Sequence, residues 1–455
     1  RFLDAGAVAT GGVTLVVDGV EMPSIPGSAS TIKEVKINQN PYSAEYSRPG
    51  RGRIEVITNP GSAQYHGVFN FLMRDAHLNA RDPFALRRPG EQRRVYEGNV
   101  NGPLGRGKTT SFTVSVDREE DDREAVVYAL DASGAVRPAV PAPARDTEIT
   151  PRITRSAGAR NVYSIWYVYR DRTTRNQGVG GFVLPEAGAN YEFREDEIFY
   201  SHRTTFTPKL LNQFRLLVAR YDAPTRSLNP GARIVVLDAF TGGGAQADQL
   251  RTERHFALHD IVSWSRARHL VTTGLNIPDF SRRGLSDRTN QVGTYTFSTL
   301  TDYLAGRPFS LTKQAGNGRL VFVEKVFGGF VQDEMRLRPN LSLTAGLRFD
   351  WQNYFHDHDN FSPRLALAWA PGPKARTVLR AGAGIFYDRT GPMPISDLLR
   401  FDGHHLNRYV IADPSYPFAD GSLSDLPVSL VRLDPRVRMP YNVQWSAGLE
   451  RQLGR

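Results

Sequence analysis

The stretch Leu341-Ser342-Leu343-Thr344-Ala345-Gly346-Leu347-Arg348-Phe349-Asp350-Trp351 decides the fold class. Leu341, Leu343, Ala345, Leu347, Phe349 and Trp351 fall on one face of an extended chain. Ser342, Thr344, Gly346, Arg348 and Asp350 fall on the other. Strict period-two alternation marks a β-strand, and this run exceeds the usual strand of roughly five to six residues. At about 3.3 Å per residue it spans about 36 Å. Tilted by about 40°, that matches the ~25 Å apolar band of a β-barrel crossing a lipid bilayer. The polar face carries Arg and Asp, which a dry sandwich core accepts only at high cost and a wet lumen accepts readily.

The same pattern recurs. Tyr441, Val443, Trp445, Ala447 and Leu449 alternate with Asn442, Gln444, Ser446, Gly448 and Glu450. Leu379, Ala381, Ala383, Ile385 and Tyr387 alternate with Arg380, Gly382 and Gly384, and Phe112, Val114 and Val116 with Ser111, Thr113, Ser115 and Asp117. Aromatic residues at strand ends (Phe349, Trp351, Tyr387, Tyr441) sit where an interfacial girdle belongs. Connections alternate short and long. Short ones fall near 103–108, 155–160, 208–212, 265–268, 338–340 and 371–374. Long ones fall near 118–145, 172–191, 223–251, 279–318, 351–360 and 388–440. Such alternation separates periplasmic turns from extracellular loops. About fourteen strands are expected by this count. The charged run Asp117 to Arg123 is expected at a loop tip.

Composition fits this reading. The 455 residues are 40% hydrophobic and 23% charged, too apolar for a disordered chain. No stretch approaches the ~18–20 apolar residues of a membrane helix. Cysteine is absent, so disulfides, thiolate metal sites and Cys nucleophiles are excluded. The net charge is +10, but the arginines are dispersed and no nucleic-acid motif occurs, so no nucleic-acid partner is expected. Residues 1–62 differ from the rest. Short β-branched runs at Val13 to Val17, Ile32 to Ile37 and Ile54 to Thr58, broken by Asp18-Gly19 and Asn59-Pro60-Gly61, suggest a small α+β unit. The chain opens at Arg1 without signal-peptide features and closes just past a strand, and it is read as an internal piece of something longer.

Several of these segments, taken in order, resemble the TonB-dependent outer-membrane receptors. The segments are Asp18-Gly19-Val20, Ile32-Lys33-Glu34-Val35, Tyr42-Ser43-Ala44-Glu45-Tyr46 and Gly50-Arg51-Gly52-Arg53-Ile54-Glu55-Val56-Ile57-Thr58. They look like the later half of that family's plug domain. Tyr65-His66-Gly67, Leu78 to Phe84, Phe330-Val331-Gln332-Asp333-Glu334 and Phe361-Ser362-Pro363-Arg364 resemble the plug-to-barrel junction and strands of the Oar-like branch. That branch often carries a carboxypeptidase-regulatory-like domain. Where the family usually has Gly-Gly, this chain has Gly52-Arg53.

The resemblance implies an all-β membrane protein. Residues 1–62 would be the C-terminal part of a plug and 63–455 a partial antiparallel transmembrane barrel, about fourteen of about twenty-two strands. It implies the outer membrane of a Gram-negative-type bacterium. There the barrel would act as a receptor and transporter for a large scarce ligand: an oligosaccharide, a peptide or a metal chelate. The implied partners are outer-membrane lipid and the energy-transducing TonB complex, reached through a segment outside this sequence. Two other readings stand beside it: an Oar-like barrel for adhesion or polypeptide passage, and a soluble β-rich carbohydrate-active enzyme.

Candidate contacts between plug and wall, or to ligand, are Tyr42, Tyr46, Arg48, Arg51 and Arg53, with Glu324, Glu334 and Glu450 as acidic lumen partners. An exposed ion pair is worth about 1 kcal/mol or less, so such contacts hold a plug and also release it. Gly50 and Gly52 suit close approach of plug loops to the wall. Tyr409, Tyr416 and Phe418 are candidates either to stack on a ligand or to pack the long loop on its neighbours. His356-Asp357-His358-Asp359 has metal-ligand residue types, but on a loop without a rigid frame, and is read as solvated. No nucleophile elbow, phosphate loop or zinc-protease motif occurs. No catalytic residue, metal or cofactor is expected.

Overall fold

The computed structural model describes residues 14–22, 31–37, 41–47, 53–59, 61–105, 107–372, 376–418, 423 and 426–453. Four strands form an inner sheet: β1 Thr14–Val17, β2 Val20–Glu21, β3 Ile32–Ile37 and β4 Arg53–Thr58, in the order β2-β1-β4-β3. The β1 and β4 strands run parallel and the other pairs antiparallel. The β1–β2 turn is Asp18-Gly19, both at positive φ, 48° and 85°. That geometry is the tight hairpin turn Asp-Gly favours.

Fourteen longer strands follow: β5 His66–Asp75, β6 Gln92–Pro103, β7 Thr110–Asp122, β8 Ala144–Ala157, β9 Asn161–Gln177, β10 Ala189–Thr207, β11 Leu210–Ser227, β12 Gln249–Arg266, β13 His269–Asp287, β14 Arg319–Arg338, β15 Leu341–Gln352, β16 Phe361–Trp369, β17 Thr377–Tyr387 and β18 Tyr441–Arg451. Each pairs antiparallel with its chain neighbour, in one curved sheet whose free edges are β5 and β18. Two-residue links at 208–209, 267–268 and 339–340 lie at one end, and links as long as 388–440 lie at the other.

Burial is inside out relative to a water-soluble domain. Val331 is 50% exposed and its neighbour Gln332 only 9%; Leu347 is 43% exposed and Arg348 fully buried. Val331 sits opposite Leu347 across the strand pair, and Gln332 opposite Gly346, so each face keeps its character. Apolar rows face outward, as in a wall facing hydrocarbon, while the polar rows close on the interior. Adjacent strands satisfy each other's backbone groups, which is what lets strands cross lipid.

Several strands outrun the lipid band. The β7 strand continues through Arg118 to Asp122, the run expected at a loop tip, because its charges find partners across the strands. Arg93 pairs with Glu119 at 2.9 Å, Arg94 with Glu120 at 3.0 Å, and Arg145 with Asp122. The β13 strand likewise reaches Asp287, where a loop was expected from residue 279.

The long loops build structure of their own. Phe240–Gly243, Arg233–Val236, Thr294–Phe297, Ser310–Gly316 and Leu406–Ala412, from three loops, form a five-stranded sheet. Its core gathers Val127, Leu184, Val236, Phe240, Tyr295, Phe297 and Leu311. A helix at Pro392–Arg400 packs Ile395 on Leu285 and Phe322, which line the barrel interior.

Val331→Arg is expected to destabilise the folded wall by roughly 2–4 kcal/mol if Val331 faces the bilayer midplane. Val292→Arg in a long loop, equally exposed, should change stability by no more than about 0.5 kcal/mol. Urea titration in lipid vesicles reads both. Equal effects would show that Val331 does not face lipid.

Candidate functional site

The site is the seam between the inner sheet, with the adjoining segment 41–47, and the wall. Two different forces hold it. On one side Val17, Val20, Met22 and Val56 pack against inward-facing Trp166, Val168, Phe199, Leu217, Tyr221 and Ala257. This is ordinary burial of apolar surface, with Trp166 stacked on Phe199 at 4.8 Å. On the other side the wall donates hydrogen bonds to the inner chain's backbone. Arg364 Nη1 donates to the carbonyls of Ser43 and Tyr46, both at 2.6 Å. Arg348 Nη1 donates to the Glu45 carbonyl at 3.2 Å, and Asp350 holds the same guanidinium at 2.6 Å. Gln332 Oε1 accepts from Ala44 N–H at 2.8 Å.

Small wall residues make room for these contacts. A Cβ on Gly382 would stand 2.3 Å from the Tyr42 ring, and one on Gly346 would stand 2.8 Å from Ala44 Cβ. Tyr42 can therefore lie against the wall, where its hydroxyl donates to Ser446 Oγ at 2.8 Å. The turn residue Asp18 is held by Arg152 at 2.8 Å, and the Arg152 guanidinium also lies 4.7 Å from the Trp166 ring.

The residues named from sequence distribute as follows. Tyr42 meets the wall. The Tyr46 side chain turns to Arg53, which lies 3.3 Å over its ring and bonds Glu55 at 2.9 Å, while the Tyr46 carbonyl meets Arg364 of the wall. Arg48, Arg51, Gly50 and Gly52 lie outside the described residues. Glu324 is buried and pairs with Arg283 at 2.6 Å, with Gln352 donating to it at 3.0 Å. Glu334 is exposed, and Glu450 pairs with Arg380 on the wall. The ion pair between the described inner unit and the wall, Arg152 to Asp18, thus has its cation on the wall and its anion on the inner unit, the reverse of the expected arrangement. In the long loops, Tyr416 packs edge-on to Tyr295 and Phe297, each at 5.2 Å. Tyr409 is buried, and Phe418 is 78% exposed. Asp357 is buried and accepts from Met439 N–H at 2.7 Å, while His356 and His358 point to solvent.

Sequence reasoning missed Arg152, Gln332, Arg348, Arg364 and Ser446 as partners of the inner chain. The signal was present for Arg348. An arginine between the outward Leu347 and Phe349 has to point inward, and inside it needs an acceptor.

Burial raises the Glu45 carboxyl above its ordinary value, and Arg215 partly offsets this. Burial also raises the Tyr46 phenol.

With this geometry established, comparison with known proteins identifies the class. Residues 132–360 and 353–455 match the family model described as an outer membrane beta barrel domain. The chain belongs to that family and is a protein of the outer membrane. Solved structures with the same fold include three outer-membrane transporters and receptors. The outer membrane transporter YddB from Escherichia coli is 15% identical, at a TM-score of 0.70, over 97% of this chain and 60% of that one. The siderophore receptor PirA from Acinetobacter baumannii is 13% identical, at a TM-score of 0.60, over 97% and 60%. The ferric yersiniabactin uptake receptor FyuA from Yersinia pestis is 10% identical, at a TM-score of 0.55, over 97% and 61%. The chain spans about three-fifths of the length of these structures. No curated protein sequence matches it. Membership of an outer-membrane family sets aside the soluble-enzyme reading.

Two outcomes follow from the seam. Arg364→Ala removes two charge-assisted hydrogen bonds, each worth roughly 1.5–3 kcal/mol. Amide exchange at 41–47 should accelerate by about a hundredfold or more; unchanged exchange would show that these bonds do not hold the segment. The second concerns pH. Because the docked Glu45 binds a proton more readily than a released one, docking is strongest below about pH 4.5, its ordinary value. It weakens as pH rises through the raised range. Glu45→Gln should flatten that dependence, read by amide exchange of the same segment against pH.

Proposed function

We propose that this protein is a TonB-dependent outer-membrane receptor and transporter, with residues 1–62 the C-terminal part of its plug and residues 63–455 part of its barrel. A large scarce ligand binds the long loops and the plug. The energy-transducing TonB complex then rearranges the plug and opens the lumen. YddB is a transporter, PirA a siderophore receptor and FyuA an uptake receptor, and the shared fold supports a role of that kind here.

The observation that carries this reading is the kind of attachment at the seam. The wall holds the segment 41–47 chiefly through backbone acceptors, by way of Arg348, Arg364 and Gln332. Such bonds can be exchanged for water one at a time. A pull applied elsewhere on the plug therefore shifts a two-state equilibrium and need not unfold the wall. The loops, by contrast, are pre-built, with a sheet and core of their own. A rigid reception surface above a releasable plug is the division of labour that import requires.

A paired change tests this. A Cβ at Gly346 would stand 2.8 Å from that of Ala44, and a disulfide needs roughly 3.5–4.5 Å, so a small separation accommodates one. Ala44→Cys with Gly346→Cys is expected to stop energy-dependent uptake of whichever labelled oligosaccharide, peptide or ferric chelate the cells take up. Surface binding should persist, and a reductant should restore uptake. Uptake that continues with the disulfide formed would sink the rearranging-plug reading. Binding without any energy-dependent uptake, before or after reduction, would favour an adhesion role.

A further inference from the structure

We propose that movement of the inner sheet uncovers an arginine-lined stretch of wall that passes anionic cargo, and that at rest the sheet's own carboxylates occupy that stretch. The proposal rests on the transport reading above and names the class of cargo.

A cavity of about 440 Å³ lies between the inner sheet and the wall, bordered by strands β8 to β14 toward their short-turn ends. Its two sides differ in charge. Arg152, Arg203, Arg215 and His259 come from the wall, and none of the described wall residues lining the cavity is a carboxylate. Asp18, Glu21, Glu45 and Glu55 come from the inner unit, opposed there by Arg53 alone among the described lining residues. The wall half is cationic, and the plug half is its anionic counterpart.

The two halves are engaged, not merely near each other. Arg152 binds the Asp18 carboxylate at 2.8 Å. The Arg215 guanidinium lies flat on the adjoining turn, 2.3 Å from where a Cβ on Gly19 would stand. At φ +85° any other residue at position 19 is strained. Arg215 and Arg348 only partly offset the burial that raises Glu45, so the charge match rests chiefly on Asp18 and its neighbours. The inner sheet thus sits in the groove as an anionic ligand would.

One level toward the loops, Glu195 and Glu197 are buried inside the wall, Glu197 accepting from the Tyr221 hydroxyl, and a trio of Glu253, Asp279 and Glu324 also faces inward. All three are bound by Arg283, at 3.1, 2.9 and 2.6 Å. Their charge is partly met there, and none of the three lines the cavity that the arginines below border. When the sheet withdraws, Asp18, Glu21, Glu45 and Glu55 leave with it and the arginines remain. A cleft lined by one sign of charge concentrates ions of the other. The cargo that fits is a compact multivalent anion, carrying several carboxylate, phosphate or chelating oxygen charges. If the arginines served only to anchor the plug, the open lumen would show no such preference.

Ion selectivity in planar bilayers separates these cases. The full-length protein is reconstituted, and the plug is displaced with urea below the concentration that unfolds the barrel. Reversal potentials are then read in a potassium chloride gradient. Chloride is expected to be favoured over potassium by roughly fivefold, falling to about one in Arg152→Gln/Arg203→Gln/Arg215→Gln. The matching triple Lys variant keeps the charge and should keep the preference, which guards against a mere folding defect. A pore without chloride preference, a Gln triple that retains it, or a Lys triple that loses it would overturn the anionic-cargo proposal and leave transport standing. No conductance after plug displacement would overturn both.

Discussion

A guanidinium taken out of water has to find acceptors, and in this protein the wall's buried arginines find many of them on the inner chain. Arg348 and Arg364 are almost fully buried in the barrel interior. Arg348 has one carboxylate, Asp350, and completes its shell with inner-chain carbonyls. Arg364 bonds two such carbonyls and lies 4.0 Å from the Phe386 ring. Leaving such a group unpaired costs several kcal/mol. Wall and inner chain therefore meet most of each other's polar needs, although Arg364 Nε and Nη2 find no partner among the described residues. Backbone oxygens serve as acceptors, so the match depends on where the chain runs more than on which side chains it carries.

The seam is two-sided in character. Toward Trp166, Phe199 and Leu217 it is an apolar contact whose strength grows with buried area and has little directionality. Toward Gln332, Arg348 and Arg364 it is a set of directional bonds. An apolar contact tolerates sliding, while a directional bond is made or broken. A sheet held in both ways can shift along its apolar side once the polar contacts yield.

The loop end follows a different logic. Aromatic residues that look free to grip a ligand are largely used for construction. Tyr416 is wedged against Tyr295 and Phe297, and Tyr295 donates from its hydroxyl to the Pro417 carbonyl at 2.9 Å. Three loops far apart in sequence share one sheet, which fixes the mouth of the barrel before any ligand arrives. The charged ladders of β6, β7 and β8 extend the wall beyond lipid by a related economy, since opposite charges facing each other across strands support pairing where apolar rows no longer have hydrocarbon to face.

Period two and connection length are local properties, so the sequence alone determined the class. Leu347 and Val331 had to face one way and Arg348 and Gln332 the other, and the alternation of short and long links set an antiparallel order of about fourteen strands. Strand ends were less legible. Whether Arg118 to Asp122 lies in a strand depends on Arg93, Arg94 and Arg145, which are distant in the chain. The site was legible only in part. Tyr42 was named and meets the wall, whereas Glu324, expected as a lumen partner for the arginines of residues 48–53, is taken by Arg283. An inward charge announces that it needs a partner but not which one, because the partner can stand hundreds of residues away, as Ser43 does from Arg364. Tertiary structure made that choice, bringing Ser43 and Tyr46 to Arg364, Asp18 to Arg152, and the Gly19 turn beneath Arg215, by curving the sheet around the segment it encloses.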